Sequence, residues 1–208
     1  MDTDAQLNLN FRTRVLESLR KTGSSGRWEQ LIVSLLRRLE LDPGDRIAAE
    51  RDYLELANAI ATKLGIAQHD VDVHSQGSMC TQTTIRPSRN AKFDLDVVVK
   101  LSGPGYQDPD PEVFFDAFGK ALEGNEGETG KPEPRRRCWK LPFPNKPYYF
   151  DVTPAVADVD RRYGACLRVR DPETSWSPSN PKEFAEWFCE RAKLRFDFPA
   201  PARAERAR

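Results

Sequence analysis

The order of apolar and polar positions divides the chain into a helical first third and a strand-rich remainder. Over 5–20, Leu7, Leu9, Phe11, Val15, Leu16 and Leu19 recur at helical spacing, and a Thr-Gly-Ser-Ser-Gly break follows at 22–26. A second helix is predicted over 27–40, with Trp28, Leu31, Ile32, Leu35, Leu36 and Leu39 as a broad apolar face and Pro43-Gly44 as its end. A third is predicted over 45–64 on Ile47, Tyr53, Leu54, Leu56, Ala57, Ile60 and Leu64, with Gly65 as the C-terminal cap. The period then changes to two. Asp-Val-Asp-Val-His-Ser at 70–75 alternates as a strand does and runs directly into Gln76-Gly77-Ser78. A second strand, 92–101, ends in β-branched residues. After a Gly/Pro/Asp loop at 102–110, Val113, Phe114, Phe115, Phe118 and Leu122 predict a helix over 111–122. The Gly/Glu-rich segment 123–134 reads as a mobile connection. Strands follow at 137–141 and 148–152, the latter stopped by Pro154. Beyond 155 the signals weaken until Asn180-Pro181-Lys182-Glu183 opens a helix to about Leu194, with proline in its first turn. Phe198-Pro199-Ala200-Pro201 breaks that helix, and the last residues read as a frayed tail.

Composition narrows the class. At 208 residues, with four Trp and eleven Phe, the chain can bury a sizeable core, and wholesale disorder is excluded. The formal net charge is zero, which argues against wrapping long nucleic acid but not against a site for one or two nucleotides. No apolar run reaches the ~20 residues needed to cross a bilayer, and the N-terminus lacks a signal-peptide layout. Cys80, Cys138, Cys166 and Cys189 form no CxxC pair, as expected of reduced thiols in a cytoplasmic protein. Two histidines, His69 and His74, leave little for a zinc site or a Ser-His-Asp triad and read as structural or solvent-facing.

Three pieces carry candidate chemistry. Residues i and i+2 of a strand share a face, so Asp94 and Asp96 project together while Phe93, Leu95 and Val97 point into the core. Like charges side by side repel unless a cation lies between them, and carboxylate oxygens suit Mg²⁺. Asp151, in its own aromatic-rich strand, would complete a two-metal site and is the best-placed general base. Gly77 allows backbone to approach a phosphate, Ser78 adds a hydroxyl donor, and a helix starting near Met79 would aim free N–H groups at the anion. Each piece alone is weak: most Gly-Ser pairs are turns, and most Asp-x-Asp pairs on strands are solvated. Their order is what points to phosphoryl transfer. Tyr148-Tyr149-Phe150 could stack on a base but fits sheet packing better, and Arg135-Arg136-Arg137 could touch RNA but fits a solvated face better.

Gln76-Gly77-Ser78, Thr83-Thr84-Ile85-Arg86-Pro87, Phe93-Asp94-Leu95-Asp96-Val97-Val98 and Asp151-Val152-Thr153-Pro154-Ala155-Val156 together resemble the DNA polymerase β-like nucleotidyltransferase superfamily. More narrowly they resemble the bacterial cyclic-oligonucleotide synthases, the CD-NTases of anti-phage CBASS defence, relatives of animal cyclic GMP–AMP synthase. Trp176 to Lys182, followed by Phe184 to Phe188, extends the likeness, which covers about 70–190. The resemblance implies an α+β fold with a mixed or antiparallel sheet backed by helices. It implies Asp94, Asp96 and Asp151 as catalytic metal ligands, Gln76, Gly77 and Ser78 as the nucleotide-phosphate contacts, and Mg²⁺ (or Mn²⁺) as cofactor. It also implies ATP or other NTPs as substrates, and a cyclic product that activates a neighbouring effector. The expected organisation is N-terminal helices packing on the core (1–66), the catalytic core (67–175) and the start of a C-terminal helical region (176–208). Relatives usually carry a further C-terminal helical lobe, which is expected to be largely missing here. The alternatives are transfer of a nucleotide to an RNA, protein or small-molecule acceptor, and a truncated core that binds NTP without turnover.

Overall fold

A computed structural model describes residues 27–87, 91–124, 129–158 and 167–194. The 5–20 helix and the C-terminal tail lie outside the described residues. Helix α1 spans Arg27–Leu39 and α2 spans Pro43–Leu64. Pro43 opens α2 rather than merely ending α1: it takes the first turn, where a missing N–H is harmless, and the Asp42 side chain caps Gly44 N at 2.8 Å. Gly65 closes α2 in the left-handed region at φ +65°, as the sequence predicts.

Among the described residues seven strands follow: β1 Val71–Ser75, β2 Phe93–Leu101, β3 Glu133–Pro134, β4 Trp139–Pro142, β5 Tyr148–Ala157, β6 Leu167–Asp171 and β7 Ser175–Ser179. Helix α3 is a single turn, Gly77–Cys80; α4 is Pro111–Leu122, and α5 is Pro181–Ala192. One mixed sheet takes the order β1-β2-β5-β4-β3, and β6 joins β5 beyond β4 and carries β7. Among the described residues the central β2–β5 pair is parallel and the other strand pairs are antiparallel.

Strand β5 runs through Pro154 instead of stopping there. One edge of β5 pairs with β4 over Tyr149–Val152 and with β6 over Ala155–Ala157. Pro154 falls in the gap between these two partners, where a strand tolerates a missing donor. Strands β6 and β7 left little trace in the sequence, because the alternation in β6 rests on only two apolar residues, Leu167 and Val169, its third inward position being buried Asp171. The mobile reading of 123–134 also needs correction at its end. Thr129 is buried, Gly130 N donates to Pro142 O at 2.7 Å, and Glu133–Pro134 pairs with β4.

The main core lies between one sheet face and α2 and α4. Phe93, Leu95, Val97, Val99 and Leu101 of β2, with Phe150 and Val152 of β5, meet Tyr53, Leu56, Ile60, Phe114, Phe118 and Leu122. On the opposite face a smaller cluster joins Val98, Ala155, Leu167 and Val169. Period-two patterning thus buries alternate residues on both faces and leaves the early part of β2 polar on one of them. Helix α1 is less committed to the core than its pattern suggests, since Leu31, Leu35, Leu36 and Leu39 are exposed.

Candidate functional site

The parallel β2–β5 register sets Asp96 directly opposite Asp151 and Asp94 opposite Tyr149. Because alternate residues share a face, all three carboxylates stand on the face away from α2 and α4. The hydrophobic anchors explain this placement: Phe93, Leu95 and Val97 on one strand and Tyr148, Phe150 and Val152 on the other are buried beneath them. The start of β5 is tied down further by Asp52 of α2, which accepts from Tyr148 Oη at 2.7 Å and pairs with Lys146.

Burial raises the pKa of Asp96, and the charges of Asp94 and Asp151 raise it further. Asp151 is also raised, by burial first and then by Asp94, with Lys140 and Arg135 opposing. Among the described residues, no three His, Cys, Asp or Glu side chains stand close enough as placed to form a closed ligand set for an ion. The donor chemistry nevertheless fits a hard divalent cation: three carboxylates on one face, of which Asp96 and Asp151 are held above their ordinary range by burial and by neighbouring negative charge.

The Gln76-Gly77-Ser78 turn lies against this cluster on the β1 side. Gln76 N donates to Asp96 O at 2.9 Å, which extends the β1–β2 pairing into the turn. Gly77 sits at φ +60°, and a Cβ there would overlap Asp96 Oδ2 and stand 3.1 Å from its Cγ. Only glycine satisfies both the backbone angle and the close approach. The short helix α3 begins at Gly77 itself, earlier than its sequence suggests, and Arg46 of α2 holds it by donating to Met79 O at 2.9 Å. The Ser78 hydroxyl accepts from Thr84 Oγ1 at 3.0 Å, which leaves its own proton to donate elsewhere. The Gln76 side chain reaches across β2 to Thr153 Oγ1 at 3.3 Å, so it braces the sheet in this structure.

Several residues at the site were given no role from the sequence. Arg46 and Thr153 act through partners distant in the chain, and Thr84 through Ser78, six residues before it. Lys140 stands opposite Asp151 on β4, its ammonium 3.9 Å from the centroid of the Tyr149 ring. The Cys138 thiol is pushed up to about 11, by burial first and then by Asp151 and Asp96, which places it near the carboxylates. His69 is exposed, whereas His74 is half-buried, with Nε2 lacking a partner, and burial holds its pKa down. Tyr148 is core, but Tyr149 lies on the carboxylate face. In the basic run, Arg136 and Arg137 both engage buried Asp171 and Arg135 pairs with Glu133. A cavity of ≈ 370 Å³ adjoins the turn, between Gly77, Cys80 and Thr81 and Ser179, Asn180 and Phe184. A second cavity, ≈ 560 Å³, lies at the far end of β2, around Leu101, Tyr106 and Phe118.

A mixed sheet backed by helices, with an Asp-x-Asp strand parallel to a third Asp strand and a Gly-Ser turn beside them, is the α+β fold of polymerase β-like nucleotidyltransferases. Among solved structures it is similar to the CD-NTase CdnG of Bradyrhizobium diazoefficiens in complex with GTP, with a TM-score of 0.67 and 23% identity over 80% of this chain and 48% of that one. It is also similar to the Vibrio cholerae cyclic AMP-GMP synthase DncV, described as a prokaryotic cGAS homolog, with a TM-score of 0.52 and 16% identity over 75% of this chain and 58% of that one. The model of the Second Messenger Oligonucleotide or Dinucleotide Synthetase (SMODS) domain matches residues 27–192, and the chain belongs to that family. A c-di-GMP synthase of Roseivirga ehrenbergii is 29% identical over 125 residues, which is 59% of this chain and 32% of that protein. The chain therefore spans between about a third and three fifths of the length of these relatives. Among the described residues no helix is long and apolar enough to cross a membrane.

Proposed function

We propose that this chain carries the nucleotidyl-transfer centre of a cytoplasmic synthase that joins NTPs, ATP among them, into a cyclic oligonucleotide second messenger. We further propose that the product activates an effector in anti-phage CBASS defence. The observation that carries the reading is the β2–β5 register, which sets Asp96 against Asp151 with Asp94 on the same face. Membership of the synthetase family supports the oligonucleotide or dinucleotide product, and the CBASS role rests on the sequence resemblance to CD-NTases.

In this reading Asp94, Asp96 and Asp151 hold two Mg²⁺ ions, for which Mn²⁺ can substitute. Such ions, held by these three carboxylates, would supply the positive charge that favours ionisation of a hydroxyl and offsets the charge of a pyrophosphate. Ser78 donates its hydroxyl proton to a phosphate oxygen, with Thr84 fixing the direction of that proton. Gly77 lets the triphosphate lie close to backbone, and Gln76 keeps the turn in register with Asp96. Asp151, on the face shared with Asp94 and Asp96, is the residue placed to take the proton of the attacking ribose hydroxyl.

The test is incubation with four radiolabelled NTPs and Mg²⁺ or Mn²⁺, then phosphatase treatment and separation. A phosphatase-resistant cyclic species, lost in the Asp94→Ala/Asp96→Ala double variant, is the expected result. Product that survives the double variant would sink the site, and label transferred to an RNA or protein acceptor without a ring would replace the cyclisation reading.

A further inference from the structure

The segment that carries Ser78 is fastened at both ends to the corner between α1 and α2. At the far end the fastening is by backbone: Arg86 N donates to Leu39 O at 2.7 Å, and Ile85 bridges Glu40. The Arg86 side chain adds only a loose contact, its Nη2 standing 3.6 Å from Asp42 Oδ2 with both groups half-exposed. At the near end the fastening is by one side chain. Arg46, in the first turn of α2, donates from Nη2 to Met79 O at 2.9 Å, 33 residues along the chain. Between the two anchors Thr83 N donates to Ser78 O at 2.8 Å and Thr84 Oγ1 to Ser78 Oγ at 3.0 Å. The orientation of Ser78 therefore depends on how both ends of the loop are held.

Helix α3 cannot hold itself. Its four residues, Gly77–Cys80, make a single turn, which bears the cost of nucleation and gains nothing from propagation. Its last carbonyls need donors from outside the helix. Met79 O has Gln82 N at 3.3 Å, a long bond made with Gln82 in the left-handed region at φ +59°, which a side chain disfavours. The Arg46 guanidinium gives the same carbonyl a shorter, charged donor. The Met79 side chain is buried in the core, so the residue after Ser78 is fixed by packing on one side and by Arg46 on the other. Arg46 is not committed elsewhere. Glu50 Oε1 lies 3.8 Å from its Nε and is half-exposed, a pair of the kind that contributes little.

We infer that Arg46 is a positioning residue for the phosphate-binding turn: through Met79 O it fixes the backbone that aims the Ser78 hydroxyl. This rests on the proposed function and adds to it a residue that acts only through the turn. Substituting Arg46 leaves the Ser78 hydroxyl chemically intact but frees the backbone that directs it. The loss then falls on nucleotide affinity and passes through Ser78.

The test uses the whole chain with Mg²⁺ and methylene-bridged ATP or GTP, which bind without transfer. Calorimetry gives Kd, and Tm is measured separately without nucleotide. Ser78→Ala is expected to weaken binding about tenfold or more, the loss of one hydrogen bond to a charged oxygen. Arg46→Met should weaken it about three- to tenfold, and Arg46→Lys, which keeps a cationic donor, should recover most of that loss. Where Arg46→Met does not fold, Arg46→Gln, too short to reach Met79 O, takes its place. The double variant decides the route: once Ser78→Ala is in place, Arg46→Met should weaken binding by less than about twofold further. A purely structural role for Arg46 would lower Tm but leave the Kd of the folded protein unchanged, and that result overturns the inference. Losses that multiply in the double variant, or Arg46→Lys binding as weakly as Arg46→Met, overturn it too. In these cases Ser78→Ala still weakens binding and the proposed function stands. Unchanged binding in Ser78→Ala removes the turn from phosphate binding and the inference with it, and no Mg²⁺-dependent nucleotide binding by the folded wild type overturns both.

Discussion

Replacing Gly77 with alanine tests the closest contact at the site. Two costs act there. A non-glycine residue held at φ +60° costs about 1–2 kcal/mol. The new Cβ would also overlap Asp96 Oδ2, so the carboxylate must swing away, and leaving its preferred rotamer adds about 1 kcal/mol. The sum, about 2–3 kcal/mol, corresponds to a fall in Tm of roughly 4–12 °C for a chain of this size. The two costs separate in a double-mutant cycle with Asp96→Ala. Removing the Asp96 carboxylate relieves the overlap but not the backbone strain, so the combined variant is expected to be about 1 kcal/mol more stable than additivity predicts. Thermal unfolding without divalent ions measures the cycle. Nucleotide-dependent stabilisation with Mg²⁺ then reports the displaced carboxylate, and it should largely vanish in Gly77→Ala. If the two substitutions add to within about 0.3 kcal/mol, Gly77 does not press on Asp96 and the reasoning is refuted.

Asp96→Asn should raise Tm in the absence of divalent ions at neutral pH, because it removes a repelled, half-buried charge, and should abolish the Mg²⁺-dependent rise; a lower Tm would show that repulsion is not what the site stores. The pH dependence has two limbs of opposite sign. Asp96 and Asp151 are raised on folding, so their contribution is full below the ordinary carboxylate pKa of 3.8 and is lost as pH climbs through their folded values. Asp171 is held down to about 2, by the Glu173 backbone N–H first and then by Arg137, so its contribution is present above 3.8 and is lost as pH falls towards 2. Acid unfolding of Arg137→Ala should therefore begin at higher pH than in the wild type; an unchanged acid midpoint would remove Asp171 from the account. Gly119→Ala should destabilise by about 1–3 kcal/mol despite alanine's better helix propensity, because a Cβ there would overlap the Trp139 indole; a stabilised variant, seen as a higher urea midpoint, would show that α4 and β4 can part freely.

What the sequence revealed depended on how local the signal was. Asp94 and Asp96 were readable because the period-two rule acts within one strand, and Gly77-Ser78 because it follows β1 directly. That Asp151 faces Asp96 rather than a neighbouring position depends on the register between two distant strands, which neither strand encodes alone. Pro154 misled for a related reason. A proline breaks a strand only where its missing donor has a partner waiting, and here β4 ends before β6 begins. In β6, Arg170 pairs with Glu112 and Arg168 with Asp108, so the charged residues that hid the strand from pattern reading fasten it to α4 and the preceding loop. Lys140 and Tyr149 meet because β4 lies beside β5, a pairing that neither segment encodes alone.

The central parallel pair also determines when the site can exist during folding. Antiparallel neighbours such as β6 and β7 are joined by a tight turn and can meet early. Strands β2 and β5 are separated by α4, β3 and β4, so their pairing must close a long loop before any contact rewards it. That same late step brings Asp96 against Asp151, so its rate should be sensitive to charge in a way that earlier steps are not. Acid or divalent cations, by lowering the repulsion between the two strands, would speed the final zipping of the sheet as well as stabilise the finished fold.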